Sequence, residues 1–377
     1  MTIYFQDESI TVYHGDCRDV LPTLPDQSVD AICTDPPYEL NFMNRAWDAT
    51  GVAFDVGVWR ECLRVLKPGA HLVAFGGTRT WHRLAVAIED SGFEIRDNLA
   101  WLYGSGFTKS MDVSMAIDKA AGAEREVISE RRNQPTFDID KQAGGGWAGG
   151  VIRKTAPATD DAKRWNGWGT HLKPSFEPIV LARKPFRTSV ADNVLKHGTG
   201  AIHIDACRIP ATDSQLAEKY ASVQNAGPRD NSVYGGDDRD RAGAEPHPAG
   251  RFPPNALLDA HTAVELDDQS YNDDGGASRF FPVFKYTAKA PTSERPNVDG
   301  MKHPTVKPLE VMKWLVKLVT PPHGVVLDPF AGTGTTAEAC IHEHKHAIMI
   351  EKKASYLPLI KARLGKPMEI GFDFDAI

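Results

Sequence analysis

Val325-Val326-Leu327-Asp328-Pro329-Phe330-Ala331-Gly332-Thr333-Gly334-Thr335-Thr336 is the stretch that decides the fold. Its three leading apolar residues read as a short buried strand, Asp328 to Gly334 as a tight turn, and Thr335 as the first residue of a helix. The glycines permit left-handed backbone and leave room where a ligand must come close, while the amides that open the helix face that ligand. Strand, glycine turn and helix in this order form the unit of an open parallel sheet that binds at the carboxyl ends of its strands. The next apolar run, Ala347–Ile350, ends in Glu351, sixteen residues after Thr335, where a carboxylate can accept from both hydroxyls of a ribose. A dinucleotide-binding protein carries the same acid, so these two features alone leave the ligand open between a dinucleotide and S-adenosylmethionine.

Working outward, the same rhythm recurs at both ends of the chain. Ile10–His14, Ala31–Thr34, His71–Phe75 and Phe93–Leu102 read as strands, and Asp55–Leu66 as an amphipathic helix stopped by Pro68-Gly69. Thr80–Asp90, Leu309–Val319, Thr335–His342 and Tyr356–Leu364 read as further helices. This alternation is that of a doubly wound α/β sheet. In the middle, Pro178–Arg183 reads as one more strand and Thr188–His197 as a helix capped by Thr188 and stopped by Gly198. Gly144–Gly150 and Asp213–Gly250 read as loops.

The strand Ala31–Thr34 runs into Asp35-Pro36-Pro37-Tyr38. An aromatic exocyclic amine is a poor nucleophile because its lone pair is delocalised into the ring. Acceptors placed on its hydrogens favour a pyramidal nitrogen and stabilise the positive charge that grows there. Asp35 can supply a carboxylate oxygen and Pro36 a backbone carbonyl. Proline stiffens the turn and brings no N–H to compete, and Tyr38 offers a face for a flipped base. Aspartate and proline are also ordinary turn residues, and the distant glycine turn is what favours the chemical reading.

Together the two strings resemble the signature of amino-methylating DNA methyltransferases. Their order, catalytic string first and cofactor string last, is similar to that of the permuted β group, and the match runs from about Thr11 to about Leu364. The resemblance implies a circularly permuted, doubly wound Rossmann-like methyltransferase sheet with an inserted target-recognition region. The expected division is 1–186 for the catalytic part, 187–299 for the insertion and 300–377 for the cofactor part. It implies S-adenosylmethionine, with Phe330, Gly332 and Gly334 lining the methionine side, Glu351 on the ribose, and Asp328, Thr335 and Lys352 among the other cofactor-binding residues. Asp16 and Cys17, in Gly15-Asp16-Cys17, are expected near the adenine, although Asp16 also suits a helix cap. His303, Thr305 and Lys307, in His303-Pro304-Thr305-Val306-Lys307-Pro308, are expected beside the methionine, with Asp35 at the same border. The segment Glu39–Asp48 resembles a lid, with Arg45 and Trp47 as candidate DNA contacts. The expected sheet order is cofactor strand, ribose-acid strand, Asp16 strand, Asp35 strand. Asp-Pro-Pro-Tyr favours adenine N6 as the target, since Ser-Pro-Pro-Tyr is usual for cytosine N4.

The net charge of −7 is awkward for a DNA partner, because neutralising phosphates supplies much of the affinity. Charge must then be local. Lys163 to Arg187 holds six basic residues and one acid, whereas Asp192 to Asp274 holds seven basic residues and fifteen acids. Lys163, Arg164, Lys173 and Arg183 are therefore the candidate phosphate contacts, with Trp165 and Trp168 beside them, on double-stranded DNA. Five scattered cysteines without a C-x-x-C pair argue against a zinc site. No apolar run approaches the roughly 20 residues that span a bilayer, and a cytoplasmic protein is expected. The sequence leaves open a homodimer, a cytosine-N4 target, an RNA or protein-glutamine substrate, and a DNA-binding protein with a vestigial catalytic domain.

Overall fold

The computed structural model describes residues 1–40, 50–104, 106, 110–132, 151–210, 247–271, 275–284 and 294–366. Its strands are β1 (Thr2–Gln6), β2 (Ile10–His14), β3 (Val29–Thr34), β4 (Leu66–Phe75), β5 (Glu94–Leu102), β6 (Val127–Arg132), β7 (Val151–Thr155), β8 (Phe176–Arg183), β9 (Ala256–Asp259), β10 (Val283–Phe284), β11 (Asn297–Val298), β12 (Met301–Lys302), β13 (Val325–Asp328) and β14 (His346–Glu351). Ten of them form one sheet in the order β1-β2-β14-β13-β3-β4-β8-β5-β9-β10. From β2 to β4 neighbouring strands are parallel, and β8 runs antiparallel between β4 and β5.

Alternation along the strands divides the core into two layers, as a pleated strand requires. Ala31 and Cys33 of β3, Val73 and Phe75 of β4 and Val326 of β13 join the layer filled by the helices Leu309–Val319 and Thr335–His342. Ile32, Leu72, Ala74 and Leu327 point to the other face, where the helices Val56–Val65 and Trp81–Asp90 bring Trp59, Cys62, Leu84 and Ile88. In Leu309–Val319 the buried positions Val311, Met312, Leu315, Val316 and Val319 recur at helical spacing, so one face alone meets the sheet. All five cysteines are buried and free. Among the described residues no helix is long and apolar enough to cross a membrane.

This is the expected doubly wound, permuted sheet, with one correction to the strand order. β13 pairs with β14 on one side and with β3 on the other. The Asp35 strand therefore adjoins the cofactor strand, and the Asp16 strand β2 lies beyond β14. After β13 the chain crosses to β14, and after β3 it crosses the other way to β4, so the switch point opens between the carboxyl ends of β13 and β3. Thr34 closes it by donating its hydroxyl to Asp328 Oδ1 at 2.6 Å.

Smaller differences have local causes. Asp55 caps the helix Val56–Val65, and Pro68-Gly69 lies inside β4 instead of before it. Gly69 has φ +80°, and a Cβ there would stand 2.9 Å from the Gly200 backbone, so close packing of the chain explains the glycine. Ser189, not Thr188, caps the helix Val190–His197, which ends at Gly198 as expected. Thr80 stands just before its helix, Trp81–Asp90, and its hydroxyl donates to the Tyr38 carbonyl at 2.8 Å. The stretch 187–299 is not wholly separate from the sheet, because β9 pairs with β5 and β10 with β9. The loop 144–150 and most of 213–250 lie outside the described residues.

Candidate active site

A single cavity of about 1030 Å³ opens at the carboxyl edge of the sheet and reaches both diagnostic strings. At one end β13 delivers Asp328 into the glycine turn. Asp328 is 2% exposed and works as a brace: Oδ1 accepts from Thr34 and from the Phe330 amide at 3.0 Å, and Oδ2 from the Thr336 hydroxyl at 2.6 Å. Burial pushes its carboxyl up to about 6 against the pull of those donors. Gly332 and Gly334 take φ +56° and +78°, and a Cβ on Gly334 would meet Ile360 Cγ2 at 3.0 Å. Phe330 lines the cavity and leans on Trp59, with ring centroids 6.3 Å apart, and Thr335 lines it from the first turn of its helix.

At the end of β14, Glu351 accepts from the Gly332 amide at 2.9 Å and from the Lys353 amide at 2.7 Å. Burial raises it to about 7. Asp16 caps the short helix Cys17–Val20 and is gripped by Arg18, and Lys352 Nζ stands 2.9 Å from its Oδ2. The capping reading of Asp16 is thus present, and Lys352 is spent on Asp16. Cys17 is buried and lines the cavity. His303 stacks edge-on against Tyr356, centroids 4.5 Å apart, with its Nδ1 on the Thr305 backbone. Burial lowers His303 to about 4. Thr305 itself lies exposed on the cavity rim.

The other end is dominated by charge. Asp35 follows β3, Pro36 is buried, and Pro37 and Tyr38 line the wall. Lys307, expected beside the methionine, instead reaches the catalytic string: Nζ donates to Asp35 Oδ2 at 2.7 Å and to Tyr38 Oη at 3.0 Å, and stands 3.2 Å from Glu177 Oε2. Tyr38 in turn donates to Glu177 Oε2 at 2.7 Å. Burial works against the Lys307 ammonium, but Asp35 and Glu177 outweigh it and hold its pKa above the ordinary value. Burial, with Asp35 and Glu177 nearby, raises the Tyr38 hydroxyl well above its usual range. Asp35 Oδ1 is buried and has no hydrogen-bond partner among the described residues.

A sheet of this topology with a glycine turn and an acidic pair at one cavity can be compared with known proteins. The family model described as a DNA methylase, N6_N4_Mtase, matches residues 29–362. The chain belongs to this family of amino-methylating DNA methylases. Type II methyltransferase M.HindIII of Haemophilus influenzae is 27% identical over 308 residues, covering 81% of this chain and 66% of its own length. Type II methyltransferase M2.LlaDCHI of Lactococcus lactis subsp. cremoris is 24% identical over 229 residues, covering 53% of this chain and 81% of its own. Among solved structures, the cytosine-N4-specific PvuII DNA methyltransferase aligns with TM-score 0.47 and 14% identity over 97% of this chain and 89% of that one. The cofactor that goes with the family is S-adenosylmethionine, and it fits a cavity of this volume that carries the Glu351 acceptor and the close-approach turn of Gly332 and Gly334.

Among the described residues, the expected DNA contacts of this methylase chain lie at three places. Lys163 and Arg164 lie exposed on the helix Asp160–Arg164, followed by Trp165 and Trp168, which pack edge to face at 5.1 Å. Lys173 donates to the Gly104 carbonyl on the strand-to-cavity path that ends in Phe176 and Glu177. Arg183 does not share that face. It sits at the opposite end of β8, bound to Glu94 Oε2 at 2.6 Å and paired in register with His71, because β8 runs against its neighbours. Arg45 and Trp47 lie outside the described residues.

Sequence reasoning passed over Glu177, Tyr103, Lys353 and Tyr356, all on the cavity wall. Glu177 carried one signal: it is the lone acid in the basic stretch from Lys163 to Arg187. Arg363 was also missed. It is fully buried and ties the Thr333 carbonyl at 2.9 Å to Glu338 and the Glu294 carbonyl, holding the glycine turn against the segment that carries Lys307.

Proposed function

We propose that this chain transfers a methyl group from S-adenosylmethionine to the exocyclic N6 amine of an adenine flipped out of double-stranded DNA. The observation that carries the reading is Asp35 Oδ1, a buried acceptor without a partner, on the wall of a cavity whose other end is built around Glu351 and the glycine turn. S-adenosylmethionine supplies an electrophilic methyl on a sulfonium. Glu351 accepts from the ribose hydroxyls, and Gly332 and Gly334 let the backbone approach the methionine side. Asp35 Oδ1 accepts an amine hydrogen, which localises the lone pair and offsets the charge growing on nitrogen. As the nitrogen–carbon bond forms, the sulfur–methyl bond breaks with its electron pair left on sulfur, and the nitrogen gives up one proton, with Asp35 Oδ1 as its first acceptor. Tyr38, tied by its hydroxyl, presents its ring to the base.

The DNA rim is formed by Lys163, Arg164, Trp165, Trp168 and Lys173, which the chain connects directly to Glu177. The stretch 187–299 contributes to target reading where His261 comes against Gly104 at the carboxyl edge. Aspartate at position 35 favours adenine; cytosine N4 offers the same amine to the same acceptor and is the second reading. The test is to incubate the protein with duplex DNA and labelled S-adenosylmethionine, digest to nucleosides and identify the product by mass spectrometry. N6-methyladenine is expected. N4-methylcytosine would replace the base assignment, and no methylated nucleoside would remove the reading.

A further inference from the structure

We propose that Lys307 and Glu177 are positioning residues that keep Asp35 an ionised acceptor with one oxygen free for the target amine. The inference rests on the methyl-transfer reading above. The Lys307 ammonium holds two carboxylates at once, at 2.7 Å from Asp35 and 3.2 Å from Glu177, in a layer closed by the rings of Tyr38 and Phe75 at 5.1 and 4.8 Å. It occupies Asp35 Oδ2 only, and Oδ1 is left as a buried acceptor without a partner among the described residues. Two carboxylates and one ammonium leave one net negative charge, which faces the positive charge passing from sulfonium to amine nitrogen. Without the ammonium, Asp35 and Glu177 would repel across a buried gap, and one of them would take up a proton. A protonated Asp35 would be a weaker acceptor and would lose the negative charge that offsets the positive charge growing on the amine nitrogen. Glu177 has a second part: it accepts from Tyr38 and fixes the ring beside Asp35. Among the described residues, the other ionisable groups facing this layer include Cys33 from β3, Tyr103 from β5, Asp328 from β13 and His303 from the loop ahead of Lys307.

The test compares the full chain with Lys307→Met, Lys307→Arg, Glu177→Gln and the double variant Lys307→Met/Glu177→Gln, measuring single-turnover methyl transfer against pH and S-adenosylmethionine affinity by calorimetry. Lys307→Met should lose at least about tenfold in rate at neutral pH and recover as pH rises, its acid limb moved upward, with cofactor affinity kept. Lys307→Arg should keep the wild-type pH profile at a reduced rate. The double variant should be faster than Lys307→Met, because removing the second carboxylate relieves the repulsion. A Lys307→Met loss that is independent of pH and unrelieved by Glu177→Gln, or a variant as active as wild type, would overturn the inference. Lost cofactor affinity in Lys307→Met would also overturn it, by returning Lys307 to the cofactor side. Wild-type turnover on DNA reports on the underlying reading, so the two can fail separately.

Discussion

At the cofactor end of the cavity each carboxylate oxygen already has a donor: Thr34, Phe330 and Thr336 serve Asp328, and Gly332 and Lys353 serve Glu351. At the catalytic end Asp35 keeps one oxygen unserved in a buried wall, and the surrounding charges form a compact cluster. The first end is organised before any ligand arrives, so its residues set shape and affinity. The second holds an unmet acceptor, which the proposed function gives to the reacting amine, and on that reading its residues set rate.

The largest expected effect breaks the second end alone. Asp35→Asn should slow methyl transfer by roughly 10²–10³-fold, the scale of losing one preorganised electrostatic contact, while S-adenosylmethionine affinity in calorimetry stays close to wild type. Glu351→Ala should do the converse, weakening cofactor binding by about 1.5–3 kcal/mol for each charge-assisted hydrogen bond lost, with the rate at saturating cofactor retained. The same residue gives a pH signature. Burial holds the Glu351 proton up to about pH 7 in the free protein, and accepting from ribose needs the carboxylate. Cofactor affinity should therefore fall as pH drops below 7, with proton release on binding, and Glu351→Ala should flatten this dependence. The sign for stability is the reverse of an ion-paired acid: this group favours the cofactor-free fold most at low pH, and that contribution is lost as pH rises through about 7.

A backbone change sharpens the claim that the cofactor end is shape. Gly334→Ala, at φ +78° and against Ile360, should cost about 1–3 kcal/mol, visible as a lowered Tm. The smallest effect lies outside both ends. Lys163→Glu with Arg164→Glu should reduce the slope of log affinity for DNA against log salt by roughly two, and leave cofactor binding unchanged. An unchanged slope would move the DNA face elsewhere.

The cofactor end was readable because its parts are consecutive. Strand, turn and helix occupy Val325 to Thr336, and Glu351 closes the next strand. Asp35 to Tyr38 was readable for the same reason. The bond of Lys307 to Asp35 is not legible in the sequence, since it spans 272 positions and no local pattern marks that contact. Glu177 lay in plain view as an isolated acid, but its function depends on Lys307 and Tyr38, which only folding brings to it. The order of strands across the sheet was also misjudged, because apolar runs identify strands and not their lateral partners. Arg183 was assigned by charge alone, which ignores that an antiparallel strand carries its last residue to the opposite edge.

The most direct test of two functionally separate ends is a double-mutant cycle. Single-turnover rates at subsaturating S-adenosylmethionine would be measured for wild type, Asp35→Asn, Glu351→Ala and the pair. Among the described residues Asp35 and Glu351 share no hydrogen-bond partner, so the two free-energy losses should add to within about 0.5 kcal/mol. A coupling well above about 1 kcal/mol would mean that the cavity works as one unit and that the division drawn between its ends is wrong.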